Sequence, residues 1–150
     1  MRAVIQRVSY ASVSIDRQKK ARIENGLLIL LGIEEADSKV DLEWLSGKIS
    51  RLRIFRDQKG IMNLSLTESE GEALVISQFT LHASTRKGNR PSYVRAARRE
   101  SAILLYEQFI NQLSHDIGHE VKSGEFGAYM QVEMLNDGPV TIIIDAKNRE

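Results

Sequence analysis

The sequence predicts an α+β fold, a curved antiparallel-rich sheet or partial β-barrel packed by two main helices. Three observations predict it. Strand-like segments outnumber helix-like ones. Turns of hairpin length join several of the strands. Only two segments, about 37–52 and 91–114, keep an apolar face at helical spacing. The 150 residues suit a single domain spanning residues 1–150.

Residues 2–15 read as a strand whose apolar phase changes midway: Val4, Val8 and Tyr10 are even, whereas Ala11, Val13 and Ile15 are odd. A side-chain period of two cannot change phase without an extra residue, so a bulge or break is expected near Tyr10–Ala11. "DRQKK" reads as a turn, and the apolar run "LLILLGI", 27–33, has strand length. A helix is expected from Asp37 or Ser38 to Leu52. Ser38 with Asp41 three residues on resembles a capping pair, and Leu42, Leu45, Ile49 and Leu52 share a face. "RDQKG" and "ESEG" are turns flanking the strand "IMNLSL", and "ALVISQFTL" reads as the next strand. A long helix is expected over about Pro91–Ser114, with Gly118 just past its end. Strands at about 128–135 and 140–145 close the chain around "NDGPVT". There Pro139 opens an apolar strand, a position where proline is tolerated only at a first residue, an edge or a bulge. The Gly138-Pro139 bond is also one that can be cis.

Charge is unevenly placed. The formal net charge is +1, yet "RKGNRPSYVRAARR", 86–99, holds six basic side chains and no acid. These are Arg86, Lys87, Arg90, Arg95, Arg98 and Arg99, and the rest of the chain carries 15 basic against 20 acidic residues. A solvated helix start accounts for the pattern. So does a polyanionic partner, and positive charge near a helix N-terminus opposes the macrodipole at about 0.3–1 kcal/mol per charge. Arg95, Arg98 and Arg99 have the spacing of one helical face.

Several function classes lack support. No stretch approaches 18 apolar residues, so no membrane span is expected. The alternating N-terminus reads as a strand and not as a signal peptide, and cytoplasmic location follows as the expectation. The chain has no cysteine, which removes thiolate chemistry and zinc–sulfur sites. His115 and His119 have a helical ligand spacing, but no acid or cysteine cluster completes a shell, so neither metal nor cofactor is expected. His82 lies near Ser77 and Thr80 without a G-x-S-x-G elbow, which leaves a serine-hydrolase triad little support. Walker and dinucleotide-binding loops are absent as well. What remains is "SQFTL", 77–81, where polar Ser77, Gln78 and Thr80 interrupt an apolar strand directly before the cationic segment. It reads either as a strand leaving the core or as a strand end presenting N–H groups and hydroxyls to a ligand.

"SQFTL" and "NDGPVT" resemble the two signature motifs of the D-aminoacyl-tRNA deacylase (D-tyrosyl-tRNA deacylase) family. "MRAVIQRV", "RIFRDQKGIMNLSL", "KGNRPSY" and "FGAYMQVEMLNDGPVT" are similar to it too, in order along the whole chain. Ile61 departs from the pattern, where a lysine is expected. The resemblance implies a homodimer that hydrolyses D-aminoacyl-tRNA, with active sites at the subunit interface. It implies that Gly138 and Pro139, joined by a cis bond, reach into the partner's pocket as a wall beside the substrate's α-carbon. Mirror-image amino acids have equal volume and apolar area, so only such a wall separates them, and it works by clash. Ser77 and Gln78 would bind around the terminal adenosine and ester, with the N–H groups of Phe79 and Thr80 as oxyanion donors. Thr80 is a nucleophile in principle, but no base is in evident position to activate it. The alternative is water activated with help from the terminal ribose 2′-hydroxyl. Phe126 and Met130 would line the adenosine pocket, unless they are plain core. Arg7 would fix the incoming Gly-Pro loop, unless it is a rim salt bridge. The cationic segment would bind tRNA. A module that binds RNA without catalysis is the competing reading.

Overall fold

The computed structural model describes residues 1–149. In chain order the elements are β1 (Arg2–Ile15), β2 (Gln18–Ile23), β3 (Gly26–Gly32), α1 (Lys39–Ser50), β4 (Phe55–Arg56), β5 (Met62–Leu64), β6 (Glu72–Ser77), a 3-10 turn (Phe79–His82), α2 (Arg99–Ile117), β7 (Lys122–Ser123) and β8 (Gln131–Asp145). β1 pairs antiparallel with β8 along nearly its whole length, with β3 through its first half and with β2 through its second. β3, β6 and β7 run parallel. The result is a curved mixed sheet carrying two helices, an α+β architecture.

The sheet is apolar on both faces. Ala3, Ile5, Leu27, Ile29, Leu31, Ala73 and Val75 pack against the helices, where Leu42, Leu45, Ile49, Tyr106, Phe109 and Leu113 meet them. Val8, Ala11, Val13, Ile23, Leu28, Leu74 and Ile76 form a second cluster on the other face. Alternation along β3 and β6 therefore sends odd residues one way and even residues the other, which is why both read as unbroken apolar runs. The bulge in β1 lies between Val8 and Tyr10, slightly before its expected place. Val8 faces Asn136 and Tyr10 faces Leu135, so Ser9 is the extra residue and puts Ala11 and Val13 on the same side as Val8.

Ser38 caps α1. Its N–H and hydroxyl donate to the Asp41 carboxylate at 2.9 and 2.8 Å. Gly118 ends α2 with φ +80 and returns its N–H to the Ser114 carbonyl at 3.0 Å. Among the described residues no helix is long and apolar enough to cross a membrane.

Four sequence expectations need correction. Residues 16–20 are not all turn: only Asp16 and Arg17 turn, both at positive φ, and Gln18 begins β2. The strand expected through Leu81 ends at Ser77, and the chain turns into the 3-10 helix. α2 starts at Arg99, well after Pro91, because Ala97 is spent on an N–H bond of 2.9 Å to the Ile33 carbonyl and Ala96 bridges to Glu34. The two C-terminal strands are one, β8, which carries a four-residue excursion: Thr141 faces Gln6 and Asn136 faces Val8, so 137–140 all oppose Arg7 alone.

Candidate active site

The carboxyl ends of β3, β6 and β7 converge on a cavity of about 260 Å³. Parallel strands leave their ends in register, and the segments leaving them splay apart, so this is where a crevice forms. β3 supplies Leu31 and the following Ile33; β6 and its continuation supply Ile76, Ser77, Gln78 and Phe79. The segment after β7 supplies Phe126 to Met130, and Ala97 with Ala102 closes the roof. Ser77, Gln78, Phe79, Phe126 and Met130 are therefore brought together as the sequence predicts. Leu31, Ile33, Ala97, Ala102 and Tyr129 were not foreseen. Their signal was thin: two alanines leave space only if the aromatic facing them is known.

The lining has no carboxylate, imidazole or amine. Gln78 donates from Nε2 to Thr80 Oγ1 at 2.6 Å, which orients the Thr80 hydroxyl outside the lining. Phe79 and Thr80 open the 3-10 turn, so their N–H groups precede its first internal bond. Leu81 is the first to donate back, to the Gln78 carbonyl at 3.2 Å. His82 is buried beneath the turn and does not line the cavity, so no triad forms with Ser77 or Thr80. Behind the wall, Tyr106 donates its hydroxyl to the Val75 carbonyl at 2.9 Å, and its ring lies 5.5 Å from that of Phe126 at a tilt of 57°. Burial pushes the Tyr106 phenol far above its usual range, so it is a fixed donor and not an acid.

Gly138 and Pro139 do not line this cavity. Their bond is cis, and both residues are exposed on the excursion from β8. Asn136 closes the excursion, accepting the Val140 N–H on Oδ1 at 2.8 Å. Arg7 lies beneath it, almost fully buried. Its Nε donates to the Asp137 carbonyl at 3.0 Å, its Nη1 donates to the Ile54 carbonyl, and the Asp137 carboxylate is 3.4 Å away. Arg7 thus holds the Gly-Pro turn of its own chain.

The cationic segment borders the cavity on the β3 side. Arg86, Lys87, Arg90, Arg95, Arg98 and Arg99 are exposed, and among the described residues none makes an ion pair. The shared helical face expected for Arg95, Arg98 and Arg99 is absent. Arg95 lies before α2, Arg98 is its N-cap and only Arg99 is helical. Glu35 offsets the charge at this end, accepting the Arg98 N–H at 3.1 Å. Arg99 reaches over Phe126, with 5.9 Å from its guanidinium to the ring, and crowds Gly127, where a Cβ would lie 2.2 Å from Nη1.

A family model described as D-Tyr-tRNA(Tyr) deacylase matches residues 4–145. A D-aminoacyl-tRNA deacylase of Bacteroides fragilis is 65% identical over 150 residues, with the whole of both chains covered. The solved structure of a c-Myc DNA Unwinding Element Binding Protein is 40% identical, with a TM-score of 0.91 over 97% of this chain and 98% of that one. A probable eukaryotic D-amino acid tRNA deacylase shares the fold at 18% identity, with a TM-score of 0.80 over 95% of this chain and 97% of that one. Matched over almost its full length by the family model and by a relative of this identity, the chain belongs to the D-Tyr-tRNA(Tyr) deacylase family.

Proposed function

We propose that this chain, working as one unit and as a cytoplasmic homodimer, hydrolyses the ester of D-aminoacyl-tRNA to free D-amino acid and tRNA, a chirality check on translation. One observation carries the reading. "SQF" and "FGAYM" meet in a cavity with no side-chain base, while the Gly138-Pro139 turn stands outside it, exposed and pinned by Arg7. A pocket and a wall that belong to one site, yet lie apart in one chain, fit a site completed by a second copy.

In this mechanism the terminal adenosine enters the apolar cavity between Phe126 and Met130, with Ser77 and Gln78 at the ester. Water adds to the carbonyl carbon, and the N–H groups of Phe79 and Thr80 hold the oxyanion, each worth about 2.7–4 kcal/mol in comparable sites. The terminal 2′-hydroxyl takes part in activating water. The carbon–oxygen bond then breaks, and the ribose 3′-oxygen leaves with a proton. The Gly138 and Pro139 carbonyls of the other copy face the α-carbon and hold the ammonium, leaving no room for an L side chain. Exposed Arg86, Lys87, Arg90, Arg95, Arg98 and Arg99 take tRNA phosphates.

Deacylation assays test the chemistry. Thr80→Ala and Ser77→Ala are expected to fall by less than the roughly 10²-fold that loss of a catalytic base costs, and removal of the terminal 2′-hydroxyl by far more. A dead Thr80→Ala that still folds and binds would make Thr80 the nucleophile. The wall predicts that glycyl-tRNA is cleaved and L-alanyl-tRNA is not, since glycine's second hydrogen fits where a methyl clashes. D-Ala, D-Tyr and D-Phe esters should all be cleaved. Inert glycyl-tRNA beside cleaved D-alanyl-tRNA would mean that the pocket recognises the D side chain itself.

A further inference from the structure

β2 and β7 are the two ends of the hydrogen-bonded path through the main sheet, and they face each other without pairing. Between them lies a groove of about 550 Å³. Four basic side chains line it, Lys19, Lys20 and Arg22 from β2 and Lys122 from β7, against one acidic side chain, Glu120. Arg22 is engaged: Glu24 accepts from it at 2.8 Å, and its guanidinium lies 4.8 Å from the Tyr10 ring. The three lysines are exposed, and among the described residues none makes an ion pair.

The groove adjoins the cavity through one stretch of chain. Ser123 lines the groove, and the next residue, Gly124, packs so closely on Met130 of the cavity wall that a Cβ there would meet its sulfur at 2.4 Å. Phe126, also of the cavity wall, follows Lys122 by four residues, at most about 14 Å of chain. The arginine-rich segment borders the cavity from the β3 side, through Ala97 and Ile33. β6 separates β3 from β7, so the lysines lie on the opposite flank.

We propose that Lys19, Lys20 and Lys122 form a second phosphate-binding surface, which takes the acceptor-stem backbone of tRNA as it leaves the cavity on the β7 side. This rests on the tRNA-ester reading above. Exposed lysines on both walls of one groove outnumber the acids beside them, Glu24 near Lys19 and Glu120 in the lining, and give a stripe of positive potential; phosphate contacts of this kind set position without reading sequence. Lysines on edge strands also guard against edge-to-edge association, and that role alone would leave RNA binding untouched.

The test is the triple variant K19Q/K20Q/K122Q in the full chain, with urea unfolding as the check on folding. For uncharged tRNA, affinity should fall by at least about 10-fold, and the slope of log K against log salt should shrink by about 2 to 3. For D-aminoacyl-tRNA, KM should rise with kcat held. A D-aminoacyl ester of adenosine, which has no stem, should be cleaved as by the unaltered chain. Unchanged tRNA affinity and slope would overturn the proposal, and new self-association alongside them would assign the lysines to edge protection. Equal losses on tRNA and on the adenosine ester would also overturn it, because the groove would then act on the cavity and not on the stem. If the unaltered chain cleaves neither ester, the deacylase reading fails, while the uncharged-tRNA arm still decides whether the groove binds RNA.

Discussion

At the scale of single residues, Arg7 and Gly138 explain how an exposed turn keeps its shape. Arg7 is a buried charge whose donors go to two backbone carbonyls, those of Asp137 and Ile54, with the Asp137 carboxylate beside it. Arg7→Met fills the space but leaves both carbonyls without that donor, at about 1–3 kcal/mol each where no water replaces it. Chemical denaturation should therefore show a clear loss of stability. Cleavage of D-aminoacyl-tRNA should drop further than unfolding accounts for, because the turn loses its anchor. Gly138 has φ +142, and a Cβ there would lie 2.7 Å from Val140 Cγ2 and 3.2 Å from Arg7 Nη2. Gly138→Ala should lower activity against D-substrates while leaving tRNA affinity unchanged, since 137–140 carries no basic side chain to take a phosphate. An alanine variant with full activity would show that the turn is not part of the site.

At the scale of elements, the start of α1 is tied to the C-terminal segment through Asp41. Burial raises the Asp41 carboxyl, but Lys147 and Ser38 lower it more, so its folded pKa lies below the ordinary value. Lys147 donates to it at 2.6 Å and is raised in turn, chiefly by that bond. A carboxyl depressed by folding stabilises above its unfolded pKa, about 3.9, and that stability is lost as pH falls through the folded value. A raised lysine stabilises below about 10.4 and loses its contribution as pH rises through the folded value. Lys147→Ala should thus be less stable than the parent at pH about 7, with the difference vanishing as pH falls through the depressed folded pKa of Asp41. A difference that persisted in acid would place the effect of Lys147 in packing. α1 was legible because cap, acidic partner and apolar face all agree locally. β2 was not: "QKKARI" is polar on both faces because it is an edge strand, and only Ile23 is buried. The sequence extends α2 too far because 91–98 has helical composition, while the Ala97 N–H is committed to the Ile33 carbonyl and the Ser92 N–H to the Ser84 carbonyl. The residues of the two motifs were legible. That they lie apart in one chain was not, because spacing along a strand does not say which side of the molecule an excursion leaves from.

At the scale of the whole molecule, β8 is the element left uncovered. Among its residues Leu135 and Ile143 are more than half exposed, Val132 is 39% exposed, and Tyr129 at the cavity mouth just before it is 87% exposed. Aromatic and aliphatic surface of this kind beside a projecting turn suits an isologous contact, in which each copy gives its turn to the other's cavity. The arrangement has a consequence that a self-contained site lacks. Take Gly138→Ala, with a sound cavity and a damaged turn, and Ala97→Trp, with a filled cavity and a sound turn. Each alone should be nearly inactive. Mixed in equal amounts and allowed to exchange, about half of the dimers contain one copy of each, and in those one of the two sites has both sound parts. Activity should then recover to about a quarter of the unaltered chain's. The recovery should grow with the rate of subunit exchange and be abolished when Ile143→Glu is added to both chains, since a charge in that surface blocks association. If the turn served the cavity of its own chain, every mixture would stay at the level of its components, because no exchange brings a sound turn to a sound cavity.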